Sequence, residues 1–388
     1  MTTADGTVIG TTKILDSGDP AQRWNLVVLG DGYQAGQLDQ YAADVKRAVD
    51  TLITTPPFDR LRQAINVFRV DVTSTDTGAD DPAKCGGTGA TAATYFDATF
   101  CGPGNIQRLL VVNQDTALTV ARDQVPQVHM VLVAVNTTVY GGSGGGVAVF
   151  SQASDAVEIA LHEMGHTAFG LADEYEYLQG CGVDTDHDHH AANEPAEPNV
   201  TTITDRSTIK WRNLIASSTP LPTTVNPDCK RCDPATGPPA GLPADVVGAF
   251  EGAHYFHCGA YRPQFNCRMR ALSNPYCAVC SLRIRQTISP FLPTILQVSG
   301  RLNFLRAHDV GTKFGPPTDQ IDVEVVVRLD SDPDKAFGFQ LREDDNEGAR
   351  LGMLDTLRSA FNRNHPVQLD YQRAGLDNGI LIRVADLP

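Results

Sequence analysis

Two histidines four residues apart, His162 and His166, enclose a glutamate in the stretch His162-Glu163-Met164-Gly165-His166. On a helix, residues i and i+4 share a face, so both imidazoles can close on one zinc ion. Glu163 then lies beside the open coordination position. There it can take a proton from water and return it to a leaving amine, the general acid–base work of metal-assisted amide hydrolysis. The competing reading is a core helix with two hydrogen-bonded histidines. That leaves an unpaired glutamate among apolar neighbours, which is costly, whereas a metal site accounts for all three residues together.

The element that must position them is a helix over 154–169. Val157, Ala160, Leu161, Met164 and Ala168 recur near helical period, Asp155 and Glu158 are spaced as a capping box, and Gly170 supplies a stop one turn after the second histidine. A chain that breaks there swings back. A carboxylate from Asp173 or Glu174 can then complete three protein ligands and leave the fourth place for water.

From this motif outward the chain resembles the IgA-peptidase family of bacterial zinc metalloendopeptidases. The resemblance is carried by Leu29-Gly30-Asp31-Gly32-Tyr33, Ile65-Asn66-Val67-Phe68-Arg69-Val70, Tyr140-Gly141-Gly142-Ser143-Gly144-Gly145 and the run from His162 to Tyr175. Glu197-Pro198-Asn199-Val200-Thr201, Tyr261-Arg262-Pro263 and Cys267-Arg268-Met269-Arg270 extend it, so that it spans roughly residues 12–290. It implies an α/β (α+β) metzincin-like domain with one catalytic zinc, acting as an endopeptidase on protein or peptide substrates. It does not imply that immunoglobulin is cut. Metzincins place a glycine three residues after the second histidine and the third ligand three residues after that glycine. Here Gly170 comes four residues after His166 and Asp173 three beyond it, which favours Asp173, with Glu174 as the alternative. By the same resemblance Met269 occupies a Met-turn beneath the histidines, and Tyr261 or Tyr276 is the candidate donor to the tetrahedral oxyanion.

The chain has 388 residues, 41% of them apolar, with 31 Lys and Arg against 46 Asp and Glu, a net charge of −15. Such a charge argues against nucleic acid or an anionic membrane surface as partner. No apolar stretch reaches membrane-spanning length, and the N-terminus lacks the basic and apolar regions of a signal peptide. Nine cysteines point instead to disulfides and a secreted protein, with Cys85 and Cys101 as a local bridge. A cytoplasmic location is the alternative, with the Cys229-x-x-Cys232 and Cys277-x-x-Cys280 pairs sharing one structural zinc.

Along the chain, apolar runs at 26–29, 65–72, 109–112 and 130–135 and a helical pattern over 38–53 describe an α/β layer behind the active-site helix. The loop 73–105 reads as solvated surface; a Ca2+ site there has no further support. The glycine run at 141–146 lacks the Lys-Ser or Lys-Thr pair of a phosphate loop, and 147–150 reads as a cleft-edge strand on which substrate could pair. The Asp184–His190 cluster reads as an exposed, adventitious metal site, and the proline-rich 218–245 as a loop beside the cleft. Past residue 295 the pattern alternates: four strands and one helix marked by Leu351, Leu354, Leu357 and Phe361 suggest a small β-rich domain, with an OB-like barrel as one form. The expected organisation is a catalytic domain over 1–295 and an accessory domain over 296–388. A secreted binding or adhesion protein that keeps the protease fold without turnover is the rival to the enzyme.

Overall fold

The computed structural model describes residues 3–176, 181–309, 311, 321–343, 346–374 and 377–387. The chain forms two units, residues 1–291 and 292–388. No helix among the described residues is long and apolar enough to cross a membrane.

The first unit is organised on a six-stranded sheet made of β1 (Gly6–Leu15), β2 (Trp24–Asp31), β3 (Ile65–Ser74), β4 (Met130–Val135), β5 (Gly142–Ser143) and β6 (Ala148–Ser151), in the order β1-β3-β2-β4-β6-β5. Strands β3, β2, β4 and β6 are parallel, while β1 and β5 run antiparallel at the two edges. β2 and β4 are buried at every residue, which is why 26–29 within β2 and the whole of β4 read as unbroken apolar runs. β1 leaves alternate residues exposed; its Thr-rich pattern carries little apolar signal and the sequence reading passes over it. Helices α1 (Leu38–Thr54), α2 (Gln114–Gln124) and α3 (Ala156–Phe169) pack on this sheet. A hairpin of β7 (Phe250–Ala253) and β8 (Phe256–Arg262) and the helix α4 (Ala278–Ile288) follow.

Three expectations are corrected. The cleft-edge strand is the glycine run itself: β5 doubles back on β6, so β6 lies between β4 and β5. The run at 109–112 makes only isolated bridges, to Gly142 and Thr99, because its backbone is spent on two different loops. The capping box at the start of α3 does not form: Asp155 makes no side-chain cap, and Glu158 turns to the guanidinium of Arg268.

Among the described residues the second unit holds five strands where the alternation suggests four: β9 (Leu296–Ala307), β10 (Val325–Leu329), β11 (Asp332–Phe339), β12 (Pro366–Ala374) and β13 (Asn378–Asp386) close a barrel in the order β10-β11-β13-β12-β9. The missed strand, β9, is exposed at every second residue through most of its length and buries only Leu296 and Leu302. α5 (Glu347–Arg363) lies between β11 and β12 in sequence and buries Leu354, Leu357 and Ala360; Leu351 and Phe361, expected on the same face, are exposed.

Candidate active site

α3 carries His162 and His166 one turn apart on the side that lines a cleft of about 1180 Å³. The helix stops at Gly170, whose φ of 62° suits glycine, and Leu171 N–H closes on the Gly165 carbonyl at 3.1 Å in a Schellman pattern. The chain then turns back toward the histidines. Asp173 Oδ1 comes to 3.0 Å from His162 Nε2 and 3.3 Å from His166 Nε2, and the two Nε2 atoms are 3.2 Å apart. Glu174 points the other way, into a cluster of cysteines.

The imidazole tautomers follow from the partners of the other ring nitrogens. His162 Nδ1 faces the Arg268 carbonyl at 3.0 Å and His166 Nδ1 faces the Leu171 carbonyl at 2.7 Å. A carbonyl can only accept, so each Nδ1 carries the proton and each neutral ring presents a lone pair at Nε2. Asp173 Oδ1, buried, has no hydrogen bond of acceptable geometry among the described residues despite its proximity to both rings. Three groups that can each offer an electron pair therefore converge on one point, and together they make the donor set of a divalent metal. With only these side chains facing one another, burial disfavours charged imidazoles, yet the Asp173 carboxylate overrides it, lifting His166 to about 9 and His162 above its ordinary value, so a proton at Nε2 competes with a metal ion for the same position. Although burial pushes the other way, the two histidines hold Asp173 far below the usual carboxylate range.

Glu163 lines the same cleft. Burial raises its pKa, opposed by the charges of His162 and His166, so its carboxyl can hold a proton as well as release one. The glycine run fits tightly against this helix: a Cβ at Gly144 would meet His166 Cβ at 2.7 Å, and one at Gly142 would meet Glu163 Cγ at 3.2 Å. Against the helix that carries the histidines, Met269 is fully buried, and a Cβ at Gly165 would meet its Sδ at 2.6 Å.

The tyrosines at the site are not those expected. Tyr261 donates to Glu251 at 3.2 Å and does not line the cleft, and buried Tyr276 donates to the Leu161 carbonyl. Tyr255, at the tip of the β7–β8 hairpin, donates instead to Asp173 Oδ2, and Tyr175 and Arg108 line the same cleft. His254 and Tyr255 both adopt positive φ, 55° and 73°, a conformation that bulky side chains rarely take; their N–H groups are tied to the carbonyls of Asp173 at 3.1 Å and Tyr175 at 3.0 Å. Asn199, in the Glu197-Pro198-Asn199 segment, clamps the same loop by accepting from Ala172 N and donating to the Ala172 carbonyl and Glu174 Oε1. A lone arginine at 108 and a His-Tyr pair at 254–255 carry no motif that sequence reading could seize.

The cysteines divide. Cys85–Cys101, Cys181–Cys232 and Cys229–Cys258 are disulfides, while Cys267, Cys277 and Cys280 are buried free thiols. The two Cys-x-x-Cys pairs therefore do not share one site. Among the described residues the 184–190 cluster converges on no metal position of its own; His189 meets only Cys229 and Cys258, which are bonded to each other.

No curated protein matches the chain. Residues 12–232 and 240–288 match the family model described as IgA Peptidase M64, a match that takes in every segment lining the cleft. The convergent donors of the cleft thus lie in a chain that belongs to the IgA peptidase M64 family, whose members are metal-dependent, and that is a peptidase.

Proposed function

We propose that the chain is a secreted, zinc-dependent, metzincin-like endopeptidase whose catalytic domain is the first unit. The observation that carries this reading is the meeting of His162 Nε2, His166 Nε2 and Asp173 Oδ1, with both tautomers set by backbone carbonyls. Those three residues would hold the metal. Zinc bound there supplies a Lewis acid for the scissile carbonyl and brings the pKa of water toward neutrality.

The chain's own residues do the rest. Glu163 takes the proton of the attacking water and delivers it to the leaving amine, a task suited to a carboxyl whose pKa burial raises. Met269 forms an apolar floor that keeps the imidazoles from tilting. Tyr255 holds Oδ2 of Asp173, so that Oδ1 faces the histidines. Arg108, close enough to act on both Asp173 and Glu163, stabilises negative charge as it develops at the scissile carbonyl. Three disulfides support the secreted location. The barrel's strand order, with a parallel β11–β13 pair and α5 between the third and fourth strands, supports an OB-like binding or spacer module with no part in the chemistry.

The test is casein hydrolysis by purified protein, expected to disappear on chelation and to return with zinc. Hydrolysis untouched by chelation would overturn the reading.

A further inference from the structure

We propose that Glu174, Cys267, Cys277 and Cys280 hold a second, structural zinc ion, buried and separate from the cleft. This inference stands on its own residues and does not rest on the peptidase mechanism.

The spacing of the donors is the first argument. Tetrahedral zinc with metal–sulfur bonds of about 2.3 Å sets its sulfurs about 3.8 Å apart, and sets a carboxylate oxygen about 3.5 Å from each sulfur. Cys267 Sγ and Cys280 Sγ are 3.7 Å apart, and Glu174 Oε1 lies 3.2 Å from Cys280 Sγ and 3.6 Å from Cys277 Sγ. All four ligand atoms fall within 4.8 Å of one another. A disulfide needs about 2.05 Å, so the 3.7 Å pair is not bonded. Three thiols cannot all pair in any case, because the remaining six cysteines are engaged with one another.

Burial is the second. Glu174 is fully buried, its Oε2 has no hydrogen-bond partner among the described residues, and its Oε1 receives one conventional hydrogen bond, from Asn199 Nδ2 at 2.9 Å. Weak thiol donors do not offset the cost of a buried carboxylate; a divalent ion does. The backbone is arranged for thiolates as well. Cys277 is the N-cap of α4, the Cys280 N–H points at Cys277 Sγ at 3.4 Å, and the Cys277 N–H points at Cys267 Sγ at 3.3 Å. A Cys-x-x-Cys opening a helix in this way places both sulfurs in the positive field of its N-terminus. Three thiolates and a carboxylate exceed the charge of one zinc ion, and the buried guanidinium of Arg262 and that of Arg270 lie near enough to Glu174 to feel its charge.

The position gives the ion a task. Glu174 follows Asp173, Cys267 precedes Met269 by two residues, and Glu174 N–H already donates to the Met269 carbonyl at 2.8 Å. A metal here staples the loop carrying Asp173 to the turn carrying Met269, beneath the cleft.

The experiment is metal counting on the full chain, reconstituted with zinc and desalted, beside a His162→Ala/His166→Ala variant. The expected result is two zinc ions per wild-type chain and one in the variant. Cobalt in place of that remaining ion should give a near-ultraviolet thiolate-to-metal charge-transfer band, and an organomercurial thiol reagent should release the zinc from the folded variant. A metal-free folded variant overturns the proposal. So does retained metal without the thiolate band, or non-reducing peptide mapping that finds a disulfide among Cys267, Cys277 and Cys280. Should the double variant not fold, mercurial release of one of two zinc ions from the wild type decides the question, and a wild type holding a single ion that the reagent leaves in place refutes it.

Discussion

The Nδ1 atoms of His162 and His166 are spoken for by the carbonyls of Arg268 and Leu171, which divides labour sharply among the residues that follow. Glu163 holds no metal in this arrangement, so Glu163→Ala should lower peptidase turnover by several orders of magnitude and leave the metal content equal to wild type. Equal turnover in that variant would end the proposed mechanism. Asp173→Ala removes the acidic member of the histidine cluster and should weaken metal binding there by at least about tenfold. Tyr255→Phe deletes only the hydroxyl that holds Asp173 Oδ2, and a loss of roughly tenfold in affinity is expected from an outer-shell partner. Competition titration with a chromophoric chelator reads both; an unchanged affinity in the Asp173 variant would transfer the third-ligand role elsewhere. The histidines and Glu163 are legible in sequence because a helix converts a spacing of four into one face. Tyr255 is not, since its side chain reaches the site only through a hairpin far along the chain.

Among the elements, α3 and β2 are held by contacts that sequence periodicity does not report. Gly165 sits inside α3 because Met269 Sδ occupies the space a Cβ would need, so Gly165→Ala should destabilise by about 1–3 kcal/mol through overpacking, despite the better helix propensity of alanine. A denaturant midpoint shifted upward in that variant would contradict the packing. At the end of β2, fully buried Asp31 accepts from Ser74 Oγ and from the N–H groups of Phe96 and Ala98, fastening a loop to the sheet. Burial outweighs these bonds and raises its pKa to about 6. The folded state then binds the proton more tightly than the unfolded chain, so Asp31 favours folding below pH 4 and that contribution disappears as pH rises through about 6. Relative to Asp31→Asn, the wild type should lose roughly 3 kcal/mol between those values. Urea titrations of both proteins at pH 4 and 7 measure it, and parallel pH profiles would refute the assignment.

At the scale of the whole molecule, the division at residue 291 supports treating the barrel as a separate module. A chain ending at Phe291 should fold and hydrolyse a short peptide at a rate within about twofold of full length; a folded truncation without activity would show that residues 292–388 help build the cleft. The sequence by itself determined the catalytic idea and the buried half of the fold. His162, Glu163 and His166 lie within about one helical turn, Gly170 stops that helix, and the middle of β2 and the whole of β4 announce themselves as unbroken apolar runs, all through interactions between near neighbours in the chain. Tertiary structure alone decided which tyrosine reaches Asp173, that β5 rather than β6 is the sheet edge, and that the Cys-x-x-Cys pairs part company. It also decided that exposed strands β1 and β9 exist at all. The physical reason is common to these cases. Each depends on the direction a side chain or backbone group takes after the chain has turned, and on partners tens of residues away, whereas a residue's type and spacing report only what its own helix or strand requires.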